Sequence, residues 1–219
     1  MPRDTKNLYK SARFPDRPWV DLAGSRMSSD IFTMREIEIK IRVDDMDLFE
    51  KNLVAQGCVL SKPIHQHDTV YLRIGETSIW EGVKSGSIVL RIRRDDDGAL
   101  FTLKQQQTHE LDNAEFETRI ADPDALHESL LIMGFRPGIE VKKVRRTGTL
   151  DGDEICLDTV EELGTFVELE RLAIEDVDPR CVTKELYKKL ESLGLSRRNE
   201  ERRGYDTQLY QLHKKQTPR

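Results

Sequence analysis

The sequence predicts an α+β protein: an eight-stranded antiparallel β-barrel with helices packed on its outside. Three observations predict it. Glu36-Ile-Glu38-Ile-Lys40-Ile-Arg42-Val43 alternates charged and aliphatic residues at period two, which gives a strand one charged and one apolar face. A cycle of charged-face strand, helix and further strands occurs twice, and Glu36, Glu38 and Lys40 precede Glu115, Glu117 and Arg119 by 79 positions (115 − 36). Like charges fall in i, i+2 pairs on strand after strand, the spacing that places two side chains on one face.

The elements follow in order. Residues 1–33 carry Pro2, Pro15 and Pro18 with little periodicity. They read as a flexible leader or an over-called start, because Met34 stands directly before the first strand. Asp44 and Asp45 offer caps for a helix with Leu48, Phe49 and Leu53, which stops at Gly57. Short strands are expected at 69–74 and 79–84. Residues 87–94 and 99–105 form a hairpin around the turn run Asp95-Asp96-Asp97-Gly98.

The second cycle opens on the strand Glu115-Phe-Glu117-Thr-Arg119-Ile. Asp122-Pro123 starts a helix with Leu126, Leu130 and Leu131, and Gly134 ends it. Strands are expected at about 139–150, 153–159 and 164–174. Asp178-Pro179 opens a third helix with Val182, Leu186 and Leu190, ending at Gly194. A last, polar helix over about 199–213 could close one mouth of the barrel. One domain thus spans 34–213, and 214–219 form a tail. Two half-barrels make one barrel of about eight strands, whose interior has room for side chains or one small ligand.

The 219 residues include 35 basic and 40 acidic side chains, a net charge of −5. Such a near-balanced chain lacks the basic excess of a duplex nucleic-acid binder. No stretch is apolar for long enough to span a bilayer, and no apolar signal core stands near the N-terminus. Cys58, Cys156 and Cys181 are scattered without CxxC spacing, which speaks against a disulfide framework or a zinc site. A cytoplasmic protein is expected.

The chemistry lies in the signed pairs. The acidic ones are Glu36/Glu38, Glu115/Glu117 and Glu168/Glu170; the basic ones are Lys40/Arg42, Arg91/Arg93 and Lys143/Arg145. Residues i and i+2 lie about 6–7 Å apart on a strand, so like charges repel, and enclosure adds a desolvation cost. A solvated sheet face would explain any one pair. Six pairs segregated by sign, alternating with Ile37, Ile39, Ile41, Leu90, Ile92 and Leu169, point to a charged face turned into an enclosed lumen. Divalent cations, Mg²⁺ or Mn²⁺, suit the carboxylates, and a polyanion suits the Arg and Lys side chains. A linear triphosphate carrying metal presents both surfaces.

Glu36-x-Glu38-x-Lys40 resembles the ExExK signature of the CYTH superfamily, the triphosphate tunnel metalloenzymes. The resemblance continues through Asp68-Thr-Val-Tyr71, Leu-Arg91-x-Arg93, Thr102-x-Lys104, Glu115-x-Glu117, Lys143-x-Arg145, Leu-Asp158 and Leu-Gly164-Thr-Phe166-Val-Glu168-Leu-Glu170. It ends near Tyr205-Asp-Thr-Gln-Leu209. ExExK alone is a weak pattern; with these later doublets in this order it is specific. The chain most resembles the class IV adenylyl cyclase (CyaB-like) branch.

The resemblance implies an eight-stranded tunnel, a requirement for Mg²⁺ or Mn²⁺, and ATP, thiamine triphosphate or tripolyphosphate as substrate. Glu36, Glu38 and Glu168 match its metal-binding carboxylates, with Glu170 as a fourth. Lys40, Arg91, Lys104, Lys143 and Arg145 match its phosphate-binding set, and Lys40 and Asp158 are the catalytic candidates. Asp158 would position a metal or the attacking hydroxyl. Arg42, Arg93 and Arg119 join the phosphate-binding set on periodicity alone. Glu115 and Glu117 complete the charge balance or a second metal site. A homodimer is a further implication of the resemblance.

Three functions stay open at this point: an adenylyl cyclase, a tripolyphosphatase or thiamine triphosphatase, and a non-catalytic polyphosphate-binding module. Trp80 reads as a packing residue rather than a base-stacking one. His65 and His67 share the spacing of a metal pair, but the carboxylates already account for a metal.

Overall fold

Alternating charged and aliphatic residues build β1 (Met34–Arg42), β5 (Asp112–Ile120) and β8 (Gly164–Ile174). The computed structural model describes residues 34–75, 80, 86–107, 112–174 and 177–216. Residues 1–33, read above as a leader, lie outside them. So does the strand expected at 79–84, apart from Trp80. The remaining strands are β2 (Ile64–Arg73), β3 (Ile88–Asp95), β4 (Gly98–Gln106), β6 (Phe135–Leu150) and β7 (Asp153–Val160). The helices are α1 (Met46–Ala55), α2 (Pro123–Ile132), α3 (Pro179–Ser192) and α4 (Tyr205–Gln216). Among the described residues, no helix is long and apolar enough to cross a membrane.

The eight strands close into one antiparallel barrel in the order β1-β5-β4-β3-β2-β6-β7-β8. The expected repeat is visible in this order. The first strand of each half pairs with the last strand of the other, β1 with β8 and β5 with β4, while β2 pairs with β6. Equivalent turns end α1 and α2, at Gly57 (φ 91°) and Gly134 (φ 88°), where the left-handed backbone favours glycine. Asp45, Asp122 and Asp178 cap their helices by accepting from the backbone N–H groups of Leu48, Ala125 and Arg180.

The aliphatic face points outward. Ile37, Ile39, Ile41, Ile155, Leu157, Val167 and Leu169 pack under Phe49 and Leu53 of α1 and Val182, Leu186 and Leu190 of α3. Leu90 and Ile92 meet Leu130 of α2. Each such buried side chain contributes roughly 1.5–3 kcal/mol, so the helices fix which face is left for the lumen.

Three boundaries differ from expectation. β2 begins at Ile64, because polar residues such as Gln66 can face a polar lumen and pair with both β3 and β6. The last helix begins at Tyr205 rather than 199: the segment before it bridges to β1 through the Ile41–Glu200 pairing and a bond from Glu201 N–H to the Lys40 carbonyl. Helix α4 also continues to Gln216, past its expected end at 213 and into the segment expected as a tail.

Helix α4 lies across one end of the barrel. Its Tyr205 and Leu209 pack against Val70, Val141, Val160 and Phe166, which face the lumen on four strands. Trp80 holds it there: its indole N–H donates to Asp206 at 2.9 Å and its ring stacks on Tyr210 with centroids 4.7 Å apart. Trp80 is therefore a packing residue.

Candidate active site

Cross-strand partners in a sheet point to the same face, so the register defines the lumen. On one wall, Glu38 stands opposite Glu170, Lys40 opposite Glu168, Cys156 opposite Glu168, and Arg145 opposite Asp158. On the other, Asp68 stands opposite Arg93, Arg91 opposite Thr102, Thr102 opposite Glu117, and Lys104 opposite Glu115. Nearly all the residues singled out by their spacing therefore share one cavity. Two stand apart. Arg42 lies at the α4 end, donating to the Leu163 carbonyl and stacking 4.5 Å from the Phe166 ring centroid. Arg119 is exposed, opposite Leu100.

Signs are segregated within each i, i+2 pair but mixed between neighbouring pairs and across strands. Lys40 Nζ lies 3.1 Å from Glu168 and 3.3 Å from Glu38. Arg145 bonds both oxygens of Asp158 and also Glu168. Lys104 Nζ lies 2.7 Å from Glu115 and 3.9 Å from Glu36. Opposite charges thus compensate each other inside the barrel. Glu168 is held between Lys40 and Arg145, and although burial opposes it, those two cations keep its carboxyl well below the usual range.

Compensation is incomplete at one place. Carboxylate oxygens of Glu36, Glu38 and Glu170 lie within 4.8 Å of one another. Burial, followed by the neighbouring carboxylates Glu115 and Glu168 respectively, pushes Glu36 well up and Glu38 to about 8. Burial raises Glu170 as well, against the pull of Arg145. The buried Glu38 Oε1 faces the Lys40 ammonium at 3.3 Å without hydrogen-bonding geometry. Converging hard oxygens that cannot all ionise without a counter-charge suit Mg²⁺ or Mn²⁺. A second triple, Glu154, Cys156 and Glu170, shares Glu170.

The cations divide by how tightly they are held. Arg93 makes a two-pronged bond to Asp68 at 2.7 and 2.8 Å. Arg91 lies 3.4–3.6 Å from Asp68, Glu115 and Glu117, and its buried Nε has no acceptor. Its other end donates to Thr102 Oγ1 at 3.1 Å.

Along the wall of β1, β8, β7 and β6 the residues are layered. Glu36, Glu38, Glu154 and Glu170 lie toward the end away from α4. Lys40, Glu168 and Cys156 come next, then Arg145, Asp158 and Phe166, and beyond them Lys143 opposite Val160, near Tyr205. Asp68 and Tyr205 belong to the lumen but were given no role from spacing. Asp68 has no like-charged partner at i ± 2, and Tyr205 lies on a helix whose inward face the strand pattern does not reveal.

The CYTH domain profile matches residues 34–205. The chain belongs to the CYTH family. Its match spans the barrel and ends at Tyr205, so every lumen residue above lies inside the CYTH domain. The chain is 27% identical over 175 residues to "Putative adenylate cyclase MJ0240" of Methanocaldococcus jannaschii, covering 78% of this chain and 97% of that one. It is 27% identical over 182 residues to "Adenylate cyclase CyaB" of Aeromonas hydrophila, covering 83% and 92%. The solved structure of the PH1819 protein of Pyrococcus horikoshii superposes with a TM-score of 0.68 at 27% identity, covering 81% and 99%. This CYTH chain is thus similar to the CyaB-like branch, and its barrel is that of a triphosphate tunnel enzyme.

Proposed function

We propose that the protein is a divalent-metal-dependent enzyme acting on a triphosphate within the barrel, and specifically an adenylyl cyclase converting ATP to cyclic AMP and pyrophosphate. One observation carries the reading: a carboxylate triple within 4.8 Å lies beside a layer of buried cations in the same enclosed lumen. The names of the two relatives favour the cyclase among the triphosphate reactions.

Lys40, Arg91, Lys104, Lys143 and Arg145 would direct further N–H donors to phosphoryl oxygens in charge-assisted hydrogen bonds. Glu36, Glu38 and Glu170 would hold the cation, with Glu168 beside them. When bound, that cation neutralises charge developing on the phosphates and acidifies the attacking hydroxyl. The ribose 3′-oxygen then bonds to the α-phosphorus, the bond from that phosphorus to the bridging oxygen breaks, and pyrophosphate leaves. The hydroxyl proton passes to water or to a lumen carboxylate. The positively charged layer stabilises the leaving pyrophosphate in place.

The test is product identification with Mg²⁺ or Mn²⁺ and, separately, ATP, tripolyphosphate and thiamine triphosphate. Cyclic AMP with pyrophosphate is the expected result. Orthophosphate release would replace the cyclase by a triphosphatase. Tight tripolyphosphate binding in EDTA with no turnover of any substrate would leave a binding module.

A further inference from the structure

Asp158 is completely buried, and its two oxygens are fully engaged. Arg145 donates to Oδ1 at 2.7 Å and to Oδ2 at 2.6 Å. Lys143 Nζ and the Tyr205 hydroxyl each donate to Oδ2 at 3.0 Å. Three of these four donors converge on Oδ2, which holds the carboxylate firmly to the cations and to Tyr205. Its chemistry is that of a clamp, holding Lys143 and Arg145 of β6 from the neighbouring strand β7.

Three of those donors come from the barrel wall. The fourth comes from α4. The ring of Tyr205 is also engaged, with Lys40 Nζ 4.2 Å and Lys143 Nζ 5.1 Å from its centroid and the Phe166 ring edge-on at 5.1 Å. The Lys40 ammonium lies 3.4 Å from the Arg203 carbonyl, two residues before Tyr205. One aromatic side chain thus contacts, directly or through Asp158, three of the cations assigned to phosphate.

We infer that Tyr205 is a positioning residue for triphosphate binding: its hydroxyl, through Asp158, and its ring face together fix Lys40, Lys143 and Arg145 at the α4 end of the lumen. Asp158 is its relay. The inference rests on the proposed triphosphate site and adds how that site is assembled. Because the cations meet the phosphates both before and during reaction, misplacing them weakens binding more than it slows the bound complex. A buried tyrosine that served folding alone would change the amount of native protein and leave the affinity of that protein unaltered.

The experiment uses the full chain with Tyr205→Phe, which keeps the ring and removes the hydroxyl, and Tyr210→Phe as a control on the same helix against Trp80. Binding of tripolyphosphate in EDTA is measured by calorimetry, and KM and kcat are measured with Mn²⁺ and the triphosphate that the parent turns over. Tyr205→Phe is expected to weaken tripolyphosphate binding and raise KM by about tenfold, near 1.4 kcal/mol, with kcat within about threefold of the parent. Tyr210→Phe is expected to match the parent in both. Parental affinity and KM in Tyr205→Phe would overturn the inference, whether or not the fraction of folded protein fell. An equal loss in Tyr210→Phe would also overturn it, since any disturbance of α4 would then suffice. A parent that neither binds tripolyphosphate nor turns over a triphosphate would instead refute the proposed function.

Discussion

Glu38 and Glu170 stand directly opposite each other across the β1–β8 ladder, two carboxylates at one cross-strand position. Like charges so placed destabilise a sheet, and here Glu38 is buried and Glu170 largely so. The barrel keeps a local strain at the place where a cation would relieve it. Glu38→Gln should therefore raise the stability of metal-free protein by up to about 1 kcal/mol near pH 8 and reduce turnover at least about a hundredfold. Denaturant titration in EDTA and a product assay measure the two effects. A stability gain with parental turnover would remove Glu38 from the metal site.

The same cluster sets a pH dependence. Glu36, Glu38 and Glu170 all titrate higher in the folded chain than a glutamate in an unfolded one, Glu38 at about 8. Protonated, they favour the fold; that contribution is complete below the unfolded value near 4.3 and is lost as pH rises through the folded value. A bound cation replaces those protons, so the rise in melting temperature on adding Mn²⁺ should be larger at pH 8.5 than at pH 6. Equal shifts at the two pH values would argue that the ion binds elsewhere.

Asp68 behaves in the opposite sense. Burial pushes its carboxyl up, but Arg93 and then Arg91 outweigh it and hold it well below the usual carboxylate range. Its stabilisation is present above about pH 4 and fades only as pH falls through the lower folded value. Asp68→Asn leaves Arg93 buried opposite a neutral amide, an arrangement that costs roughly 3–5 kcal/mol. Urea denaturation at pH 7 gives the difference directly, and a loss below 1 kcal/mol would mean that Arg93 finds another acceptor.

Gly138 is the most closely packed of the described glycines. A Cβ placed there would come 2.4 Å from Trp80 Cη2 and 3.1 Å from Leu72 Cδ1. Gly138→Ala should displace Trp80 from its seat and cost about 1–3 kcal/mol by overpacking. Thermal melting measures the loss; an unchanged midpoint would show that the indole can shift without cost.

The strand pattern revealed much of this in advance. Period-two alternation in Glu36–Val43 and Glu115–Ile120 gave the faces, and the aspartates and glycines around α1 and α2 gave the helices. What it could not give was neighbourhood. Spacing along a strand says that Lys40 and Arg42 share a face, but pairing with β8 decides that Lys40 meets Glu168 while Arg42 meets Phe166. That is why one of the two lies among the carboxylates and the other is taken up by the Leu163 carbonyl. Tyr205 escaped for a related reason: its inward orientation follows from the segment 200–204 crossing to β1, a tertiary choice with no periodic signature.

The exchange of first strands between the halves has one more consequence. At the two equivalent junctions, Glu38 meets Glu170 where Glu117 meets Thr102, and Lys40 meets Glu168 where Arg119 meets Leu100. The backbone repeats itself, but its electrical lining does not. The barrel is thus directional: carboxylates converge at the β1–β8 junction and, among the described residues, form no such triple at its β5–β4 equivalent. A linear guest threading it would have a defined head and tail.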